Sequence, residues 1–419
     1  MISKIRESEF NRHVAAILSG STLAQLIPLM SEPILVRFFT PVEFGVLALF
    51  LAVATIFSSV ATARYEMAIV LPKRDELAIN VLFLSLFITL GMSLFSGIIV
   101  WLFSDNIISI ANSPGLLEFL KWIPLYVLFA GIFQSFNQWA TRKKYFNNVA
   151  ASKLSQSSAN ASVSITTGWL GWNALGLIWG QLSGWFAASL PLFFKFYKRD
   201  RKLVAQVNKK EMLLQAKEYK DFPQINSAHI LSDIGQQSLV SFLIANLFTD
   251  KVLGFYSRMI RIVKVPAGFI GTAVGQVFYQ KASEQWQAEG NIRPLFLKNM
   301  KIMAVLGIPI FLALAFFGPQ IFGFVLGKEW AIAGSYAQIL TPWLMLNFII
   351  SPFTDIPLIA GQQKKFFILS LMMNILVVLA FAIGYYINGS IETAFILISA
   401  FQVIFHLYLA FWFWKIAKK

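Results

Sequence analysis

The sequence predicts an all-α polytopic membrane protein of about twelve transmembrane helices, in two six-helix lobes related by a pseudo-twofold axis along the membrane normal. Three observations carry this: composition, the spacing of apolar runs, and the placement of Lys and Arg. The 419 residues are 57% hydrophobic and only 13% charged, whereas soluble proteins carry roughly 25% charged residues. Its 41 phenylalanines present more apolar surface than a soluble fold could hide. A bilayer removes the need to hide it.

A membrane-crossing helix needs about 20 largely apolar residues. Such runs fall near 14–36, 45–70, 77–103, 119–140, 149–171 and 174–196, and again near 224–248, 252–279, 302–326, 332–358, 366–387 and 392–414. They divide the chain into an N-lobe (1–197), a cytoplasmic linker (198–223) and a C-lobe (224–419). With a cytoplasmic N-terminus, alternate loops collect 27 of the 35 Lys and Arg residues. The outer side and its fringe hold only Arg37, Lys121, Lys251 and Lys328. Lys and Arg mark cytoplasmic loops, so both chain ends are expected in the cytoplasm. The bias repeats at every loop, and a miscount by one helix would invert it. Lys4 to Arg12 lead into an apolar run too long for a signal h-region, so this segment reads as a first span and not as a cleavable signal. In the linker, Glu211 to Tyr219 reads as a short amphipathic interfacial helix with Met212, Leu213 and Leu214 toward lipid.

The twofold organisation rests on an internal repeat. Phe39-Thr40-Pro41-Val42-Glu43-Phe44-Gly45-Val46 joins the first two helices. Phe248-Thr249-Asp250-Lys251-Val252-Leu253-Gly254-Phe255 joins the seventh and eighth, with Phe, Thr and Gly recurring at an offset of 209 residues. Each half has an even number of helices, so the halves share one topology. Repeats of this kind typify transporters.

Several chemistries are excluded or unsupported. The chain has no cysteine, so disulfides, thiolate metal sites and cysteine nucleophiles are out. His13, His229 and His406 are far apart and lack ligand spacing, so no metal is expected. The net charge of +15 sits in clusters between apolar runs, which fits membrane topology and not nucleic acid. Gly323 to Lys328 is similar to a phosphate loop at first sight, but its glycine spacing is wrong and Glu329 stands where Ser or Thr is needed. No loop is long enough for a catalytic domain, so no enzyme and no cofactor are expected.

Charges within spans are the candidate site. A charge at mid-bilayer costs about 2.5–3.5 kcal/mol or more, so it faces a cavity or a partner. Arg258, Arg261 and Lys264 are three apart on the eighth helix. Steps of about 60° place them in one broad stripe. Arginine suits forked recognition of phosphate oxygens, so this stripe is the candidate anion-binding wall; structural pairing is the competing reading. Arg64 and Glu66 lie in the inner part of the second helix, on different faces, and are not expected to pair. Glu32 reads as interfacial and Asp355 as lying near the inner end of the tenth helix. Asp233 lies deeper in the seventh helix, at a depth within reach of Lys264. Asp233, Asp355 and Glu66 are the coupling or ion-pair candidates.

The fifth helix, from Ser152 to Thr167, is rich in Ser and Thr, which either line a hydrated cavity or permit close packing. Gly176, Gly180 and Gly184 at four-residue spacing mark a packing face on the sixth. Pro28 and Pro33, Pro266, and Pro342, Pro352 and Pro357 predict bends in the first, eighth and tenth helices.

Four stretches carry a family resemblance: Pro33 to Gly45; Ala63-Arg64-Tyr65-Glu66-Met67-Ala68-Ile69-Val70-Leu71-Pro72; Tyr219-Lys220-Asp221-Phe222-Pro223; and Gly275-Gln276-Val277-Phe278-Tyr279. Gly361-Gln362-Gln363-Lys364 adds to them later in the chain. With these the sequence resembles the O-antigen and polysaccharide flippases, within the multidrug/oligosaccharidyl-lipid/polysaccharide exporter superfamily. The resemblance implies a bacterial inner-membrane protein moving an undecaprenyl-pyrophosphate-linked sugar repeat unit to the periplasmic leaflet by alternating access around a cationic cavity. It implies a monomer whose partners are the lipid-linked oligosaccharide, the bilayer and other polysaccharide-assembly membrane proteins. Na⁺ and H⁺ both stay open as coupling ions. A cation antiporter of the same superfamily and a membrane glycan polymerase or ligase are the alternative readings.

Overall fold

The computed structural model describes residues 24–419, except for the side chains of Ile225, His229, Asp233, Val265 and Pro266. The part of the first predicted span before residue 24, and His13, therefore lie outside the described residues. The described chain is helical, with one isolated antiparallel bridge between Asn291 and Lys418. Helix α1 covers 24–38. Then come α2 (Pro41–Ser59), α3 (Asp75–Ala111), α4 (Leu117–Leu120), α5 (Ile123–Arg142), α6 (Phe146–Trp169), α7 (Asn173–Arg199), α8 (Lys209–Glu218) and α9 (Ser227–Leu247). The chain continues with α10 (Asp250–Glu289), α11 (Arg293–Leu326), α12 (Ala331–Ile350), α13 (Ile356–Ile359), α14 (Gln363–Asn388) and α15 (Ile391–Ile416). Among the described residues, seven helices are long and apolar enough to cross a membrane, and up to nine if two bent pairs each count as one span. The protein is an all-helical, multi-pass membrane protein.

The repeated segment has a local cause. Thr40 is the N-cap of α2 and accepts a hydrogen bond from the Glu43 amide, with Glu43 completing a capping box and Pro41 in the first turn. Thr249 caps α10 in the same way, accepting from the Val252 amide. A threonine oxygen satisfies an amide left unpaired at a helix start, so the repeat marks two equivalent helix beginnings.

The chain divides into two compact units, one through Asn246 and one from Leu247 to Lys419. In the first, α9 is held by Ser238 Oγ, which donates to Ala52 O at 2.8 Å, and by Asn246 Nδ2, which donates to Ile110 O at 3.0 Å. Helices α6 and α7 pack along the predicted glycine face. A Cβ on Gly176 would stand 2.5 Å from Thr167 Oγ1, and one on Gly184 would stand 3.1 Å from Gln156 O. Ser152, Ser164 and Thr167 are buried in α6, so small hydroxyl residues here serve close helix approach. The amphipathic linker helix is α8; Leu213 and Leu214 are exposed, and Asn80 ties its entry by accepting from the Asn208 amide and donating to Gln206 O.

One expectation in this unit is corrected. The second predicted helix does not continue to residue 70. It ends at Ser59, and a turn with positive φ at Ala63 (48°) and Arg64 (63°) leads into a tight 3₁₀ stretch, Tyr65–Val70. The segment is apolar enough to read as one span, but apolarity does not report φ and ψ. Glu32 is only 1% exposed, packed within the protein. It lies on the face of α1 that also buries Leu35 and Val36, while Met30, Ile34 and Phe38 are exposed.

In the second unit, α11 and α12 cross at Gly318 and Gly334, where a Cβ on Gly334 would lie 2.3 Å from Gly318 O. Helix α11 kinks at Phe317 (φ −123°, ψ 18°), two residues before Pro319; proline cannot donate the helical hydrogen bond and crowds the preceding turn. Helices α10, α12 and α15 meet in an aromatic cluster: Tyr336 contacts Phe255 and Phe395 edge-on, and Tyr256 stacks on Phe395 at 5.4 Å. The proline-rich tenth predicted span is broken, with a 3₁₀ turn Ser351–Phe353 between α12 and α13. Arg293 Nε donates to Trp414 O at 2.8 Å and its guanidinium covers the Trp414 ring, pinning the end of α15.

Candidate functional site

The cationic stripe of α10 is present on a continuous helical segment, Asp250–Lys264, which meets Ala267–Glu289 at a 42° bend. Pro266, with no N–H to donate, stands at the break. Along the stripe the environment changes. Arg258 is buried (4% exposed), Arg261 is half-buried and Lys264 is exposed. Lys264 Nζ sits 5.0 Å from the centroid of Trp343 on α12, a cation–π contact that helps to hold the ammonium. One turn along α12, Asn347 Nδ2 lies 3.2 Å from His406 Nε2, while His406 Nδ1 is 2.7 Å from Gln402 O.

Beyond the bend, the second unit carries an open cavity of about 390 Å³ with several polar side chains in its wall. On α10 its wall is made by Gly268, Gly271 and Gly275 with Thr272, Gln276 and Tyr279; Ser351, Thr354 and Asp355 face them. The glycines create the space: a Cβ on Gly275 would come to 3.2 Å from Pro352 O. Asp355, the N-cap of α13, is exposed and lines this cavity. The structure thus places Asp355 beside the resembling segment Gly275 to Tyr279. The side chain of Asp233 lies outside the described residues, as does that of His229.

In the first unit, Arg64 and Glu66 are brought together, contrary to expectation: Arg64 Nη1 lies 3.1 Å from Glu66 Oε1. Their spacing forbids a pair within an α-helix, and the positive φ of Ala63 and Arg64 removes that restriction. Glu66 is buried and also accepts a hydrogen bond from the Thr62 hydroxyl. The same turn is anchored to α8, since Tyr65 Oη donates to Ala216 O at 2.9 Å.

A second ionic cluster joins residues far apart in the sequence. Arg142 donates to Asp75 Oδ1 at 3.0 Å and to Pro72 O at 2.6 Å. Lys143 Nζ binds Asp75 Oδ2 at 2.7 Å and stands 3.6 Å from Asp200. Asp200, buried, also accepts from Trp139 Nε1 at 3.0 Å and Tyr145 Oη at 3.2 Å. Burial works against the Lys143 ammonium, but its hydrogen bond to Asp75 and the charges of Asp200 and Asp75 outweigh it and raise its pKa. One signal was available: Asp200 is a lone acid within the basic run Lys195 to Lys202, where only a specific partner gives an acid a role.

A family profile described as polysaccharide biosynthesis protein matches residues 34–334. No curated protein matches the sequence. Among solved structures, the chain is similar to the lipid II flippase MurJ in an inward closed conformation, at 16% identity over 96% of this chain and 89% of that one, with a TM-score of 0.70. It is also similar to an inward-facing multidrug resistance MATE family transporter of the MOP superfamily (16% identity, 94% and 93% covered, TM-score 0.59). A MOP superfamily transporter from Pyrococcus furiosus aligns at 17% identity over 96% and 93%, with a TM-score of 0.52. These likenesses show a fold shared with the MOP superfamily. The profile match covers well over half of the chain and agrees with the sequence resemblance: the chain belongs to the polysaccharide biosynthesis protein family.

Proposed function

We propose that this protein is a flippase that moves an undecaprenyl-pyrophosphate-linked oligosaccharide repeat unit from the cytoplasmic to the periplasmic leaflet of a bacterial inner membrane. In this reading it has twelve spans, an N-lobe (1–197), a linker (198–223) and a C-lobe (224–419), with both ends cytoplasmic, and works by alternating access. The observation that carries it is the stripe Arg258, Arg261 and Lys264 on α10, graded from buried to exposed, in a member of a polysaccharide biosynthesis family. A lipid-linked sugar has a head that hydrocarbon rejects and a tail that need not leave it. A pyrophosphate head needs cations where water is scarce, and arginine binds phosphate oxygens as a fork. Arg64 is a further candidate contact, and Asp355, Glu66 and Asp233 are the acids assigned to coupling or ion pairing. Moving a double negative charge outward also runs with an inside-negative potential, worth up to about 4.6 kcal/mol per 100 mV.

The MATE-like fold supplies a second reading, a cation antiporter, for which the cavity at Asp355 would be the binding place. The cationic stripe disfavours it, because like charges repel the substrate. The two separate in a strain lacking the gene. The flippase reading expects surface polysaccharide to vanish and lipid-linked repeat units to accumulate in the membrane, with drug susceptibility unchanged. Normal surface polysaccharide with raised susceptibility to cationic drugs would favour the antiporter.

A further inference from the structure

We infer that the α14–α15 hairpin carries a binding site for an anionic phospholipid, with its phosphate on Lys364 and Lys365 and one acyl chain in the groove between the two helices. The hairpin turns at Gly389 and is closed near that end, where a Cβ on Gly384 would lie 2.6 Å from Ala394 backbone atoms. Between this closure and the contact of Phe366 with Trp412, the helices leave a groove of about 320 Å³. Leu369, Met372 and Leu376 line it from α14, and Phe401, Ile404 and Tyr408 from α15. Leu369 also lines a second cavity, of about 440 Å³, shared with Gly361, Gln362, Lys364, Lys365 and Ile368. Leu369 thus lies between an apolar groove and an adjoining mouth with two ammonium groups. Neither cavity has a carboxylate among its lining residues. The mouth is built: Lys365 Nζ rests 5.1 Å from the Trp412 ring centroid, and Phe366 stacks on the same ring. Trp and Lys at this junction mark the membrane interface.

The dimensions fit one chain in one leaflet. Leu369 to Leu376 spans seven helical steps, about 10 Å, against about 15 Å for half of the hydrocarbon core. Two features favour a phospholipid over a lipid-linked sugar. Gln362 is the only neutral polar side chain at the mouth, too little to recognise a saccharide. Both walls belong to one hairpin, so the groove keeps its shape while other helices move, which suits a resident lipid better than a transported one. The site does not depend on the flippase reading.

The test is lipid retention by the full-length protein in detergent, followed by native mass spectrometry with added phosphatidylglycerol or phosphatidylethanolamine. Phosphatidylglycerol should be retained in preference, and less so as salt screens the contact. Replacing both lysines (Lys364→Gln with Lys365→Gln) should weaken phosphatidylglycerol binding by roughly 30-fold, about 2 kcal/mol. Ile404→Trp fills the groove, leaves the lysines in place, and should lower retention of both lipids. Equal retention of the two lipids by the native protein, or unchanged retention in the double-lysine variant, would overturn the assignment. One-for-one displacement of phosphatidylglycerol by undecaprenyl phosphate would also overturn it, by giving the site to the other lipid.

Discussion

Arg64 and Glu66 pair across a two-residue spacing because the helix has ended at Ser59 and the turn that follows takes positive φ at Ala63 and Arg64. Left-handed backbone at two consecutive non-glycine residues is costly, of order 1–3 kcal/mol each, and persists where surrounding contacts over-determine it. Those contacts are the Thr62–Glu66 hydrogen bond, the ion pair, and the tie from Tyr65 to α8. Glu66→Ala should therefore lower the stability of the purified protein by roughly 1–3 kcal/mol, the cost of a stranded partner, read as a lowered thermal unfolding midpoint. Glu66→Gln, which keeps a hydrogen-bond acceptor for Thr62, should cost less. An unshifted midpoint in Glu66→Ala would mean that the turn is held by other contacts. On α10, Arg261 is the half-buried member of the stripe. Arg261→Ala should abolish polysaccharide export at unchanged protein level, and Arg261→Lys should restore part of it, because a point charge replaces a fork. Full export in Arg261→Ala would remove this residue from the phosphate site.

At the scale of the element, close helix crossings set the tolerances. At the α11–α12 crossing the obstacles are backbone atoms, which cannot rotate away: a Cβ on Gly334 meets Gly318 O at 2.3 Å. Gly334→Val should destabilise by about 3 kcal/mol or more, at or above the top of the usual overpacking range. Gly323→Ala on the same α11 meets nothing nearer than 3.7 Å and should fold normally. Comparing membrane-extracted yield and thermal midpoint for the two variants checks this. The helices themselves were legible because a bilayer imposes apolar runs of fixed length and because Thr40 and Thr249 cap equivalent starts. The glycine face of α7 was legible from its spacing. The end of α2 was not, because Val60 to Val70, even with Arg64 and Glu66, is apolar enough to extend the run, and hydropathy does not report φ and ψ. The burial of Glu32 depends on which face of α1 packs inward, and the ties of Asp75 and Asp200 depend on residues more than 50 positions away. For the site, the cations of α10 could be read directly; the polar cavity at Asp355 could not, since it needs the break at Ser351–Phe353 to face the glycines of α10.

At the scale of the whole molecule, sidedness and transport are the two properties at stake. The first rests on the Lys and Arg distribution and is tested cleanly because the chain has no cysteine. Asn388 and Asn208 are both exposed. A cysteine at Asn388 should react with an impermeant maleimide from the periplasmic side of intact cells, and one at Asn208 only after permeabilisation. The reverse pattern would invert the topology and with it the direction of transport. The second claim is that the protein moves a lipid-linked sugar between leaflets. Its most direct measurement is leaflet exchange in proteoliposomes of the purified protein, loaded with undecaprenyl-pyrophosphate-linked repeat unit and scored by access of the sugar to an external oxidase or lectin. Sugar initially protected inside should become accessible with the native protein and stay protected with Arg261→Ala. Equal rates for native protein, Arg261→Ala and empty liposomes, with the native protein folded and inserted, would contradict it.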